Sequence, residues 1–198
     1  MTTTFHELPF GLSWVQDELV GRASHALADG GRVWLVDPVD SPGAVERAEA
    51  LGEIAGVLQL VDRHNRDAAA IAARLGVPHL RLPDEVPDSR FEVVRVLQWP
   101  KWVERALWWP AQRTLVVGEA VGTTPWFTVR DEPVGVHALL RPLPPQALRG
   151  FAPEHLLVGH GASVHGDDAR SGLRRALERA RRDLPRWLME LPKVLRQS

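Results

Sequence analysis

An α/β fold in a single domain follows from two features of this sequence. Val57-Leu58-Gln59-Leu60-Val61 is a short apolar run of strand character that breaks off into charged residues, and Ala68 to Leu75 then reads as a helix closed by Gly76 and Pro78. Strand-like alternation (Phe91 to Leu97) and a helical period (Leu173, Leu177, Ala180, Leu184) occur in the same 198 residues, a length that can bury a real core. A strand end that feeds a helix is where an α/β sheet usually carries its chemistry. Asp62, His64 and Asp67 fall there.

In chain order, Phe10 to Val20 and Arg32 to Val36 read as the opening strands, with Asp29-Gly30-Gly31 as a turn between them. Asp37-Pro38 ends the second strand. Ser41-Pro42-Gly43 leads into a helix from about Ala44 to Leu51, with Pro42 suited to its first turn and Gly52 to its end. After the central strand and helix, Val77 to Leu82 is a short strand, Pro83 to Ser89 a loop, and Phe91 to Leu97 a strand. Ala106-Leu107-Trp108-Trp109 passes through the loop Pro110-Ala111-Gln112-Arg113 into Thr114 to Val117. Gly122 to about Arg141 is irregular, and loops of that length are often lids or binding loops. Leu156-Leu157-Val158 is a last strand. The final helix begins near Asp167-Asp168, where acidic residues suit a helix N-terminus, and Pro185 and Pro192 are expected to break up its tail.

Four segments occur in a telling order: Val33-Trp34-Leu35-Val36-Asp37, Val61-Asp62-Arg63-His64-Asn65-Arg66-Asp67, Thr114-Leu115-Val116-Val117-Gly118-Glu119 and Leu156-Leu157-Val158-Gly159-His160-Gly161. They resemble the motif segments of the metallo-β-lactamase fold. These are an early strand ending in Asp, a strand ending in Thr-His-x-His-x-Asp-His before a helix, a strand ending in Gly-Asp, and a late Gly-His-Gly. The resemblance spans about residues 10 to 180 and implies a four-layer αββα sandwich of two similar halves, although the sequence shows no internal repeat. It also implies a metal site in which most ligands are replaced. The first His becomes Asp62, the second is kept as His64, the Asp becomes Arg66 and the last His becomes Asp67. The family's mid-chain His falls near Trp99-Pro100-Lys101, where no residue is a good ligand. Its bridging Asp is Glu119 here, and its last His is kept as His160. This is not a standard two-zinc site.

What remains is His64 and His160 with Asp62, Asp67 and Glu119, an adequate donor set for one divalent ion such as zinc, manganese or iron. Arg66 argues against an ion. A fixed positive charge about 5 Å from a divalent ion costs about 6 or 7 kcal/mol at an effective dielectric near 20. The same guanidinium, placed among Asp62, Asp67 and Glu119, would supply the charge those carboxylates need through fork-shaped hydrogen bonds. That replacement of metal by Arg66 is the favoured expectation. A plainer account of the stretch also exists: Asn65 suits an N-cap, and Asp67 falls in the first helical turn, where negative charge is favoured. It leaves His64 unexplained. Trp99 and Trp102, two of five tryptophans within 28 residues, are expected to fill the pocket a metal has left or to line a ligand site. Trp108 and Trp109, adjacent in a strand, must face opposite sides, one the core and the other a cleft or partner surface. His25, His155 and His165 read as surface residues.

Composition sets the outer bounds. There is no cysteine, so thiolate sites and disulfides are excluded. No apolar stretch approaches the roughly 20 residues needed to span a bilayer, so no membrane association and a cytoplasmic location are expected. From Arg170 onward nine Lys or Arg stand against three Asp or Glu, a local +6 in a chain whose total is -1. A solvated helix face is the preferred reading of this basic segment, which starts near residue 168. A nucleic-acid site is disfavoured, because aromatic residues do not interleave with its early arginines. The sequence thus predicts one domain over residues 1 to 198 that has lost dinuclear zinc hydrolysis and acts as a non-catalytic binding or structural protein without a cofactor, with a small organic ligand in the old groove. A homodimer is compatible with an exposed tryptophan face. The alternative is a hydrolase with one metal, held by His64, His160 and some of Asp62, Asp67 and Glu119, that activates water toward an ester, amide or phosphoester.

Overall fold

Short apolar runs pair into two mixed β-sheets in the computed structural model, which describes residues 2–64, 66–130 and 132–196. The first sheet follows the chain: β1 (Thr3–Leu8), β2 (Gly11–Gln16), β3 (Ala23–Asp29), β4 (Arg32–Val36), β5 (Glu53–Gln59) and β6 (His79–Arg81). The first four strands are antiparallel, whereas helices α1 (Ala44–Glu49) and α2 (Ala68–Leu75) serve as the crossovers that make β4, β5 and β6 parallel. The second half supplies β7 (Glu92–Trp99), β8 (Trp102–Trp109), β9 (Thr114–Val117), the two-stranded ribbon of β10 (Val121–Gly122) and β11 (Gly135–Val136), then β12 (His155–Val158), β13 (Val164–His165) and the long helix α3 (Gly166–Leu195). Its sheet has the order β13-β12-β9-β8-β7, with β12 and β9 parallel.

Alternation assigns the layers. On β4, Val33 and Leu35 face Ala44, Ala48, Ile71 and Ala72 of α1 and α2, whereas Trp34 and Val36 turn toward the second sheet and pack with Leu107, Leu115 and Leu157 in one core. Ala169, Leu173, Ala176, Leu177 and Ala180 of α3 cover the far face of that sheet. The result is a four-layer αββα sandwich, as the resemblance implied.

The structure departs from the expected elements where burial and pattern disagree. β1 was not anticipated because it is an edge strand with both faces largely solvated, so its apolar positions do not alternate. β3 escapes the pattern because its consecutive residues Ala23 to Leu27 are all buried, so nothing alternates, and among them Leu27 alone is large and apolar. His25 is therefore not a surface residue: it is fully buried on β3, with Nδ1 at 2.7 Å from the Ser13 hydroxyl and Nε2 at 3.1 Å from the Val158 carbonyl. Trp109 fills the core between Phe10 and Phe91, and Trp108 lies on Phe151 rather than in a cleft.

Pro185 and Pro192 do not end α3. An interior proline costs about 3 kcal/mol. Beyond Pro185, Trp187 is buried and donates from Nε1 to the Trp126 carbonyl at 3.0 Å, and Glu190 accepts the Arg130 N–H at 3.3 Å. Tertiary anchoring of the last turns offsets the missing backbone bond.

Candidate functional site

The two sheets are sewn together along one edge. Arg22 and His160 form an antiparallel bridge, Ala23 N donates to the Gly159 carbonyl at 2.9 Å, and Gly161 N donates to the Gly21 carbonyl at 2.7 Å. A second seam joins the residues after β5 to β8: Val61 bridges Glu104, Asp62 N donates to the Val103 carbonyl and Arg105 N to the Leu60 carbonyl. Two glycines permit this closeness. A Cβ at Gly118 would collide with Val61 and reach the His64 ring, and one at Gly159 would overlap the Gly118 carbonyl. The strand ends bearing His64, Glu119 and His160 thus meet around a cavity of about 290 Å³ lined also by Arg22, Arg63 and Arg66.

Each histidine is anchored by one ring nitrogen. His64 Nδ1 lies 3.1 Å from Asp37 Oδ2, and His160 Nδ1 lies 3.0 Å from the Val20 carbonyl. Both partners are oxygen acceptors, so each Nδ1 carries a proton and donates it. That leaves both Nε2 atoms, which are buried and have no hydrogen-bond partner. Glu119 Oε2 stands 3.9 Å from His64 Nε2, and one ligating atom from each of His64, Glu119 and His160 lies within 4.8 Å of the others. This is the one such group of His and carboxylate donors among the described residues.

Electrostatics keep the set in donor form. Burial lowers His160 to about 4, and Arg66 and His64 add to the effect, so its ring is neutral at pH 7. Burial works to raise Asp37, but His64, Arg66 and the Leu60 N–H outweigh it and hold the carboxyl below its usual range. Glu119 is likewise held low against its burial by the Arg63 hydrogen bond (2.8 Å), His64 and His137. His160 therefore presents a lone pair and Glu119 an ionised carboxylate at pH 7.

Arg66 turns inward, but to carbonyls. It donates from one terminal nitrogen to the Ala23 and Asp37 carbonyls and from the other to the Gly159 carbonyl at 2.8 Å. The carboxylate partners expected from the sequence, Asp62, Asp67 and Glu119, are absent from its hydrogen bonds: Asp62 and Asp67 face elsewhere, and Glu119 is held by Arg63. Asp67 sits at the N-cap of α2, where its Oδ2 accepts the Asp40 N–H at 2.8 Å instead of capping its own helix. Asp62 takes part in the β8 seam through its N–H, its carbonyl accepts Arg81, and its Oδ1 is buried without a partner. Neither joins the three convergent donors. Asn65, expected as an N-cap, lies outside the described residues.

Trp99 and Trp102 flank the cavity rather than line it. Trp102 is buried, with the Arg63 guanidinium 3.8 Å over its ring, and Trp99 packs edge-on against it at the exposed hairpin tip. Three contributors carried no local sequence signal. His137, in the irregular stretch, packs edge-on to Trp102, with Nε2 at 4.0 Å from Glu119 Oε1. Glu104 is buried in β8, and Arg63 is a charged residue in a charged run. Asp37 was legible, as the end of the early strand.

Comparison with solved structures gives the architecture its name, the metallo-β-lactamase fold. The DIM-1 metallo-β-lactamase is matched over 90% of this chain and 98% of its own, with a TM-score of 0.59 at 12% identity. The metallo-β-lactamase FIM-1 from Pseudomonas aeruginosa, in its mono-zinc form, is matched over 91% and 97%, with a TM-score of 0.56 at 9% identity. Identities this low establish fold and not activity. No protein-family model and no curated protein sequence matches the chain.

Proposed function

We propose that this metallo-β-lactamase-fold protein has given up the two-ion arrangement and keeps a site for one divalent cation, held by His64, Glu119 and His160, in a hydrolase acting on an ester, amide or phosphoester. The observation that carries this reading is the pair of buried, unpartnered Nε2 atoms on two histidines that converge with a carboxylate. Buried polar atoms left without partners call for an explanation, and histidines whose other nitrogen is bound to a carboxylate or carbonyl are oriented as metal ligands are. Two imidazoles and one carboxylate suit zinc, iron or manganese. Such an ion supplies Lewis acidity and lowers the pKa of bound water toward 7. The protein's own part is to fix the donors: Asp37 and the Val20 carbonyl hold the rings, and Arg63 holds Glu119.

The non-catalytic alternative draws support from Arg66. Its guanidinium already links β3, β4 and the residue after β12, a cross-link that needs no metal. Elemental analysis of protein purified without chelator, and again after incubation with zinc, manganese or iron(II), separates the two. About one ion per chain is expected, falling to none in His64→Ala and His160→Ala, with loss of turnover of a generic ester or phosphodiester in both. Absence of any stoichiometric ion under all three conditions would sink the hydrolase reading and leave a binding or structural protein.

A further inference from the structure

Glu104 is completely buried on β8, and nothing above gives it a task. Its Oε1 accepts from two successive backbone N–H groups, Glu119 at 2.8 Å and Ala120 at 2.9 Å. Its Oε2 accepts from the Trp102 indole at 3.2 Å. That indole in turn lies under Arg63, whose Nε donates to Glu119 Oε2, and edge-on to His137 at 4.8 Å. In the strand itself Glu104 bridges Val61, three residues before His64. Both the backbone and the side chain of Glu119 therefore trace back to this one carboxyl.

We propose that Glu104 is a positioning residue for Glu119, holding the turn after β9 so that the carboxylate converges with the two histidines. The proposal rests on the one-ion reading. A buried carboxyl is an expensive turn support. A serine or asparagine could satisfy two N–H groups more cheaply, but neither would also accept from an indole that carries a neighbour of the ligand.

The test uses Glu104→Gln, Trp102→Phe and the double variant. In Glu104→Gln the amide oxygen can keep both backbone N–H groups, but its NH2 then meets the indole N–H, donor against donor. Trp102→Phe removes that N–H and keeps a ring beneath Arg63. Two readouts are taken: amide hydrogen exchange at Glu119 and Ala120 in metal-free protein, and zinc affinity by competition with a chromophoric chelator. Glu104→Gln is expected to speed exchange at both amides by about tenfold or more and to weaken zinc by about 10- to 100-fold. The double variant is expected to recover most of both losses. Unchanged exchange and affinity in Glu104→Gln, or a double variant no better than the single, overturns the proposal. If Glu104→Gln does not fold, a double variant that folds with slow exchange supports the pairing, and one that also fails to fold overturns it. Wild-type protein that binds no zinc removes the one-ion reading, while the metal-free exchange comparison still decides whether Glu104 holds Glu119.

Discussion

Replacing Arg66 by Met removes a side chain that joins β3 to the residues just after β4 and β12, through the Ala23, Asp37 and Gly159 carbonyls. Hydrogen bonds to a charged group are each worth about 1.5–3 kcal/mol, so the three together set a ceiling near 5–9 kcal/mol. Part of that is returned, because a guanidinium is no longer taken out of water and the methionine chain fills much of the same path. Against this, Asp37 loses the nearby charge that helps hold it ionised in the interior. Removing one member of a buried charge pair typically costs about 3–5 kcal/mol, and that is the expected loss. With a urea m-value of about 2 kcal/mol/M, the unfolding midpoint should fall by about 2 M. Arg66→Lys should recover only part, since one ammonium cannot reach three carbonyls in that fork. A midpoint within about 0.5 M of wild type, equivalent to about 1 kcal/mol, would refute the idea that Arg66 fastens the seam.

Asp37→Asn should leave the fold intact and weaken zinc by about 10- to 100-fold in a chelator competition, because an amide NH2 facing His64 Nδ1 moves the ring proton to Nε2; unchanged affinity would show that Asp37 does not set the tautomer. Gly118→Ala should destabilise by about 1–3 kcal/mol in urea titration, since its methyl must displace Val61 beside the His64 ring, and a neutral result would mean that the seam is looser than drawn. Stability should fall on acidification from about pH 6.5 to 4. His25 and His160 have folded pKa values of about 4, below the ordinary histidine value, so the unfolded chain takes up their protons first and stability rises with pH in that window. Glu104 opposes them: its folded value of about 7 is raised, so its contribution is present below the unfolded value near 4.5 and fades as pH climbs through 7. These three groups alone give a slope of about one proton between pH 4.5 and 6.5, or about 1.4 kcal/mol per pH unit; His137, His155 and His165, which burial also lowers, add to it and Glu132, which burial raises, opposes it, and Glu104→Gln should steepen it. A flat or inverted profile from pH 4.5 to 6.5 would contradict this assignment.

Local pattern disclosed those parts of the molecule whose physics is local. The helix Ala68–Leu75 matches its expected bounds, since Gly76 in the left-handed region ends it, and the strand Arg32–Val36 does too, because its apolar run is bounded by a glycine turn and Asp37. His64, Glu119 and His160 could be picked out because each falls on a ligand position of the segments that resemble the metallo-β-lactamase motifs. Asp62 and Asp67 could not be sorted from them by spacing. Which way a side chain leaves a turn depends on partners such as the Asp40 N–H, 27 residues away. Arg66 shows the same limit: charge complementarity suggested carboxylates, whereas the three nearest acceptors are carbonyls that only the closed seam brings together. Glu104 and His137 sit in ordinary strand and loop sequence, so their roles come entirely from contacts across long stretches of chain.

Arg66 and a bound cation need not exclude each other, and the arrangement of acids explains how. Each arginine at the cavity has its own counter-charge: Glu18 chelates Arg22 with oxygens at 2.5 and 3.1 Å, Glu119 takes Arg63, and Asp37 is the carboxylate that most favours the charged form of Arg66. The repulsion between Arg66 and an ion is thus set against the buried charge of Asp37, whose backbone carbonyl accepts from Arg66 while its Oδ2 faces His64. In a two-ion site a second metal would supply the positive charge at this seam. Here the Arg66 guanidinium lies at the seam, with hydrogen bonds to three carbonyls that also close the sheet edges. On the one-ion reading proposed above, Arg66 would fasten the seam whether or not an ion is bound, and His64, Glu119 and His160 would have one ion to hold.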